Sequence, residues 1–190
     1  MGAAGTDSGS MFVRAERFIG ERVTAAVERI DPKAIDRAVE ILTNAPQIFV
    51  YGAGRSGIIG RAFAMRLVQA GLRAYVIGES VTPIVRHGDA VFILSGQGES
   101  SSSIQTANIV RREGADLIVL TSRPGSKLAH TASLLITIEF DEGPERSRYA
   151  PLGTLFESAS LRLTDALVAE LLAVRGESEA SMRGRHAIMV

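Results

Sequence analysis

The 190 residues are enough for one domain with its own hydrophobic core. Lys+Arg and Asp+Glu both number 21, so the formal net charge is zero, and no global basic excess points to nucleic acid or an anionic membrane as partner. Cysteine is absent, which removes disulfides, thiolate nucleophiles and Cys-type zinc sites and fits a reducing, cytoplasmic setting.

The first ten residues, rich in Gly, Ala and Ser, lack the basic and apolar regions of a signal peptide and read as a flexible leader over 1–10. No apolar run reaches the roughly 18 residues of a membrane span. The domain is then expected over 11–175, with a charged tail over 176–190. Apolar residues at Phe12, Ala15, Ile19, Val23, Val27 and Ile30 follow helical spacing. Asp31-Pro32 breaks that stretch and opens a second helix to about Asn44, with Asp31 as N-cap and Pro32 at the first helical position.

Strands are predicted at Gln47–Tyr51, Arg73–Ile77, Ala90–Leu94, Asp116–Leu120 and Leu134–Ile138, with helices from Ser56 to Ala70 and from about Ser100 to Glu113. The strands are almost unbroken apolar runs, as expected where both sheet faces are covered. Strand and helix in strict alternation imply an α/β fold, a three-layer αβα sandwich on a five-stranded parallel sheet, doubly wound in the flavodoxin-like manner. The polar stretch 140–150 reads as a loop. A last helix is expected from about Pro151 to Val174, with Pro151 in its first turn. Apolar residues lie on most of its circumference, which makes a second subunit the expected extra cover.

Two loops carry the chemistry. Gly52-Ala-Gly-Arg-Ser-Gly57 joins a strand to a helix, where free backbone N–H groups and the helix dipole favour an anion. It also matches GxGxxG, and Glu79 follows the second strand where a dinucleotide fold keeps its ribose-binding acid, so a dinucleotide-dependent oxidoreductase is a competing reading. Ser95-Gly-Gln-Gly-Glu-Ser-Ser-Ser-Ser103 stands in the same relation to the third strand. A serine-rich N-cap explains one of its hydroxyls but not two glycines and five serines together. A dinucleotide fold needs one such loop and a separate substrate domain, for which no residues remain. Two loops at one sheet edge suit a small phosphorylated ligand held by amides and hydroxyls.

These stretches, with Ala62-Phe-Ala-Met-Arg-Leu67, Gly78-Glu-Ser-Val-Thr-Pro83, Ala150-Pro-Leu-Gly-Thr-Leu-Phe-Glu157 and Arg185-His186-Ala187, resemble the sugar isomerase (SIS) domain family over about residues 11–187. Within it the resemblance is to the 6-phospho-3-hexuloisomerases. It implies interconversion of 3-hexulose 6-phosphate and fructose 6-phosphate through a cis-enediol, without cofactor or metal. It also implies a homotetramer and functional coupling to 3-hexulose-6-phosphate synthase in the ribulose monophosphate pathway.

The resemblance places phosphate and substrate contacts on Gly54, Arg55, Ser56, Ser95, Gly96, Gln97, Gly98, Glu99 and Ser100. It makes Glu157 the base, and it has His186 in the tail join the active site, from a neighbouring subunit in related isomerases. A carboxylate suits that proton transfer when partial burial brings its proton affinity near the working pH. Another sugar-phosphate isomerase, or a silent sugar-phosphate sensor of the same fold, is the alternative. The chain departs from the family at Gln97, where a serine is usual, and at Ser100, where a threonine is usual. Its ending, Ile188-Met-Val190, replaces the usual polar one. His87 and His130 read as surface residues.

Overall fold

Residues 9–188 are described by the computed structural model. Two helices precede the sheet, α1 (Met11–Val27) and α2 (Pro32–Asn44). Ser10 caps α1 by accepting a hydrogen bond from Val13 N at 3.4 Å, so it belongs to the domain and not to the expected leader. Residues 1–8 of that leader, and Met189 and Val190 of the tail, lie outside the described residues. Asp31 accepts from Lys33 N at 3.0 Å with Pro32 at the helix start, the arrangement read from the sequence.

The sheet comprises β1 (Ile48–Gly52), β2 (Ala74–Val76), β3 (Ala90–Leu94), β4 (Asp116–Thr121) and β5 (Leu134–Thr137), all parallel in the order β2-β1-β3-β4-β5. Side chains alternate across it. Val50, Phe92, Leu94, Ile118 and Leu120 pack in a core shared with α1, α2, α3 (Gly54–Gln69) and the long α6 (Thr154–Arg175). Phe49, Val91, Ile93, Leu117 and Val119 face the other way, onto Ala107 and Val110 of α4 (Ser101–Glu113). Both faces are covered, which is why β3 is buried along its whole length. The three-layer parallel α/β architecture is as expected. Among the described residues, no helix is long and apolar enough to cross a membrane.

Three expectations need correction. Alternation is not strict: β2 reaches β3 through a loop, pinned by Thr82 Oγ1 donating to Val76 O at 2.6 Å and Arg86 N donating to Asp89 Oδ2 at 2.8 Å. β4 reaches β5 through a single 3₁₀ turn, Ala129–Thr131. The stretch 140–150 contains a short helix, α5 (Arg146–Tyr149), which buries Tyr149. The last helix starts at Thr154, because Leu152 is left-handed (φ 57°) and breaks the helical path after Pro151. Its apolar faces are met within the chain by α1, α2 and α3. Its all-round apolar pattern therefore does not by itself call for a second subunit.

The tail forms α7 (Glu179–Gly184), with Ser178 and Ser181 in a reciprocal capping box. Arg185 grips Glu177 through two bonds of 3.0 and 2.7 Å and donates to Gln69 O at 3.1 Å. The tail is thereby docked on the C-terminal end of α3.

Candidate active site

β1 and β3 are neighbours in register, with Gly52 opposite Leu94, so the two glycine loops leave the sheet side by side. The connections run in opposite directions from this pair, β1 to the β2 edge and β3 to β4, which makes it the topological switch point where open α/β sheets bind ligands. Gly52 and Gly57 touch across the first loop: a Cβ on Gly57 would stand 2.5 Å from Gly52 O. That close approach seats the start of α3 against the end of β1 and presents Arg55 and Ser56 at the sheet edge.

The second loop is shaped by the segment after β4. Gly96 O accepts from Ser122 N at 3.1 Å, Ser122 Oγ at 2.7 Å and Thr121 Oγ1 at 3.2 Å. Gly98 O accepts from Leu128 N at 3.1 Å, and Glu99 accepts from Lys127 N at 3.1 Å. Arg123 Nε donates to Gln97 Oε1 at 3.4 Å.

A cleft of about 430 Å³ opens between the loops and the start of α6. Ser56, Gly96, Gln97, Gly153, Phe156 and Glu157 line it, with Ser122, Phe140, Glu142, Arg146, Leu152 and Leu155 completing the wall. Glu157 is the more buried of the two acids in its lining, with its side chain only 12% exposed. Arg55 Nε lies 2.8 Å from Glu157 Oε2, yet that buried oxygen accepts no hydrogen bond among the described residues. The contact is therefore a misaligned ion pair. A buried carboxylate oxygen without a hydrogen bond is costly and calls for an explanation.

The structure thus brings Arg55, Ser56, Gly96, Gln97 and Glu157 together and places Gly54 at the start of α3 beside them. Ser95 is buried, and its hydroxyl accepts from Gly98 N at 3.2 Å, shaping the loop from within. Ser100 precedes α4 and its hydroxyl pairs with Ser102 at 2.9 Å. Glu99 is turned to Lys127, with Nζ at 3.5 Å. His186 is not brought to the cleft of its own chain. It follows Arg185 at the far end of α3, a helix of 16 residues and so about 24 Å long. Glu79, the acid of the dinucleotide reading, is ion-paired to Arg61. The strand order is also not the 3-2-1-4-5-6 order of dinucleotide folds.

Sequence reasoning missed Thr121 and Ser122, which hold the second loop, Ser126, which packs against Gly98, and Arg146, which donates to Leu152 O behind the cleft. The polar stretch 140–150 was the one visible hint of Arg146 and Glu142. Among the described residues, no three His, Asp or Glu side chains gather as a metal-binding group.

Residues 41–174 match the SIS domain family. A 3-hexulose-6-phosphate isomerase of Methylomonas aminofaciens is 32% identical over 174 residues, covering 90% of this chain and 96% of that protein. One from Bacillus subtilis is 33% identical, covering 83% and 88%. A crystal structure from Methanococcus jannaschii, for which the function of a 3-hexulose-6-phosphate isomerase has been inferred, superposes with a TM-score of 0.81 at 28% identity, covering 93% and 97%. The chain belongs to the SIS domain family, alongside the 3-hexulose-6-phosphate isomerases of these organisms.

Proposed function

We propose that the protein interconverts 3-hexulose 6-phosphate and fructose 6-phosphate. The observation that carries this reading is the Glu157 carboxylate, nearly buried at the meeting point of the two glycine loops, with one oxygen that accepts no hydrogen bond among the described residues.

The phosphate lies against Ser56 and the loop amides, with Ser95 shaping the second loop from within and Ser100 opening α4, and the N-termini of α3 and α4 contribute positive ends of their dipoles. Glu157 removes the proton from C2 of the hexulose. The electron pair forms the C2=C3 double bond of a cis-enediol, and negative charge moves onto O3. The proton returns at C3, O3 takes up a proton as O2 gives one up, and C2 becomes the carbonyl of fructose 6-phosphate. Arg55 is 66% exposed and free to leave Glu157 for the developing enediolate oxygen, where a fixed positive charge lowers the barrier. His186, supplied by a neighbouring subunit of a homotetramer, exchanges the hydroxyl protons. The enzyme works in the cytoplasm, on the product of 3-hexulose-6-phosphate synthase in formaldehyde assimilation.

The test is a coupled assay in which that synthase makes the hexulose from ribulose 5-phosphate and formaldehyde and the appearance of fructose 6-phosphate is followed. Turnover is expected with the native chain. Glu157→Gln should lower kcat by about 10²-fold or more with fructose 6-phosphate binding retained, the scale of a lost general base. No fructose 6-phosphate from the native chain would refute the reading.

A further inference from the structure

We infer that Gly153 is a positioning residue for the Glu157 carboxylate, an inference that rests on the isomerase reading above. Gly153 is the N-cap of α6, and Glu157 N donates to its carbonyl at 2.9 Å. Its backbone, φ −87° and ψ 8°, is open to any L-residue, so the glycine is not required by the turn. The left-handed position, where a glycine would relieve strain, is one residue earlier and is occupied by Leu152.

What excludes a side chain at 153 is the acid itself. A Cβ there would stand 2.8 Å from Glu157 Oε1, 3.1 Å from Cδ and 3.6 Å from Oε2, and ordinary contact begins at 3.4 Å. These are the three nearest atoms outside the glycine and its two chain neighbours. The carboxylate ends a flexible side chain, so the fold can yield cheaply by letting it move. Moving it shifts the base away from the carbon whose proton it takes and alters its approach to Arg55. Gly153 therefore acts as the floor on which the carboxylate rests, leaving the acid one place to lie between that floor and the guanidinium.

Gly153→Ser tests this, because serine is a preferred N-cap and does not weaken the helix start. We expect kcat to fall between about 10- and 100-fold, as for a sub-ångström to ångström misplacement of a reacting group, with KM and the thermal midpoint nearly unchanged. With Glu157→Ala as background, the same change should leave fructose 6-phosphate affinity unaltered. Native turnover of Gly153→Ser while Glu157→Gln is dead would overturn this inference alone, whereas native turnover of Glu157→Gln would sink the base assignment itself. Equal loss of sugar-phosphate affinity in both backgrounds would show that the glycine serves the loop, not the acid. Should the serine variant not fold, Gly153→Ala takes its place, and failure of both to fold would likewise refute the positioning role.

Discussion

Gly98 shows how tightly one residue of the second loop is specified. Its φ is +65°, and a Cβ there would stand 2.0 Å from Ser126 Oγ and 2.5 Å from Ser126 Cβ. Gly98→Ala is expected to cost about 2–5 kcal/mol, from roughly 1–2 for a left-handed alanine and roughly 1–3 for overpacking. The unfolding free energy measures it, and a rise in KM for hexulose 6-phosphate should accompany it. The double change with Ser126→Gly should recover only the overpacking part. The glycine was legible in the sequence as part of a Gly/Ser loop. Its partner was not, because Ser126 arrives from the far side of β4, and nothing local marks a serine 28 residues away as the reason for a glycine. The same holds for Thr121 and Ser122, whose bonds to Gly96 span 25 and 26 residues. Glu157, by contrast, was legible through the block around it, and the structure adds what that block could not show, the acid's contact with Arg55.

At the scale of the element, signals that act within one turn were readable. Asp31-Pro32 sets the start of α2, and the five apolar runs match the five strands to within about two residues at each end. The start of α6 was misread because Pro151 invites placement in a first turn, whereas Leu152 turns left-handed after it with its carbonyl held by Arg146. The tail is expected as a charged segment that brings His186 to a site, and the structure makes it a latched helix. Two hydrogen bonds from the Arg185 guanidinium, and a further one from Ser181, hold the Glu177 carboxyl below its ordinary value of 4.5. A depressed folded-state value means that this latch contributes stability above the unfolded pKa and loses it as pH falls through the folded one. The tail should therefore loosen below about pH 4.5, earlier than the sheet, as amide exchange over residues 177–186 would show. Arg185→Ala should loosen it at neutral pH. If the tail supplies His186 to a partner, that variant also loses turnover with its own cleft intact. Native turnover of Arg185→Ala would separate the latch from catalysis.

For the whole molecule, the proposal that Glu157 and His186 serve one site implies a geometric requirement, because α3 separates them. The cleft lies at the N-terminal end of this helix and the docked tail at its C-terminal end, about 24 Å apart over 16 residues. No single chain folded this way unites the two groups. A two-fold axis perpendicular to α3 would run the partner's α3 antiparallel to it and bring each tail to the other's cleft. The outward face of α3 suits such a contact: Ile58, Met65 and Val68 recur at helical spacing and are 65%, 52% and 44% exposed. The decisive measurement mixes two inactive variants. Glu157→Gln keeps its histidine and His186→Ala keeps its carboxylate. If each site takes its acid from one chain and its histidine from another, co-refolding the two in equal amounts leaves about one quarter of the sites with both native groups. Turnover near a quarter of the native value is expected, against almost none for either variant alone. If each chain instead used its own histidine, every chain in the mixture would carry one defect and no activity would return. That result would leave the sheet and the cleft standing while removing both the shared site and the tail's place at the far end of α3.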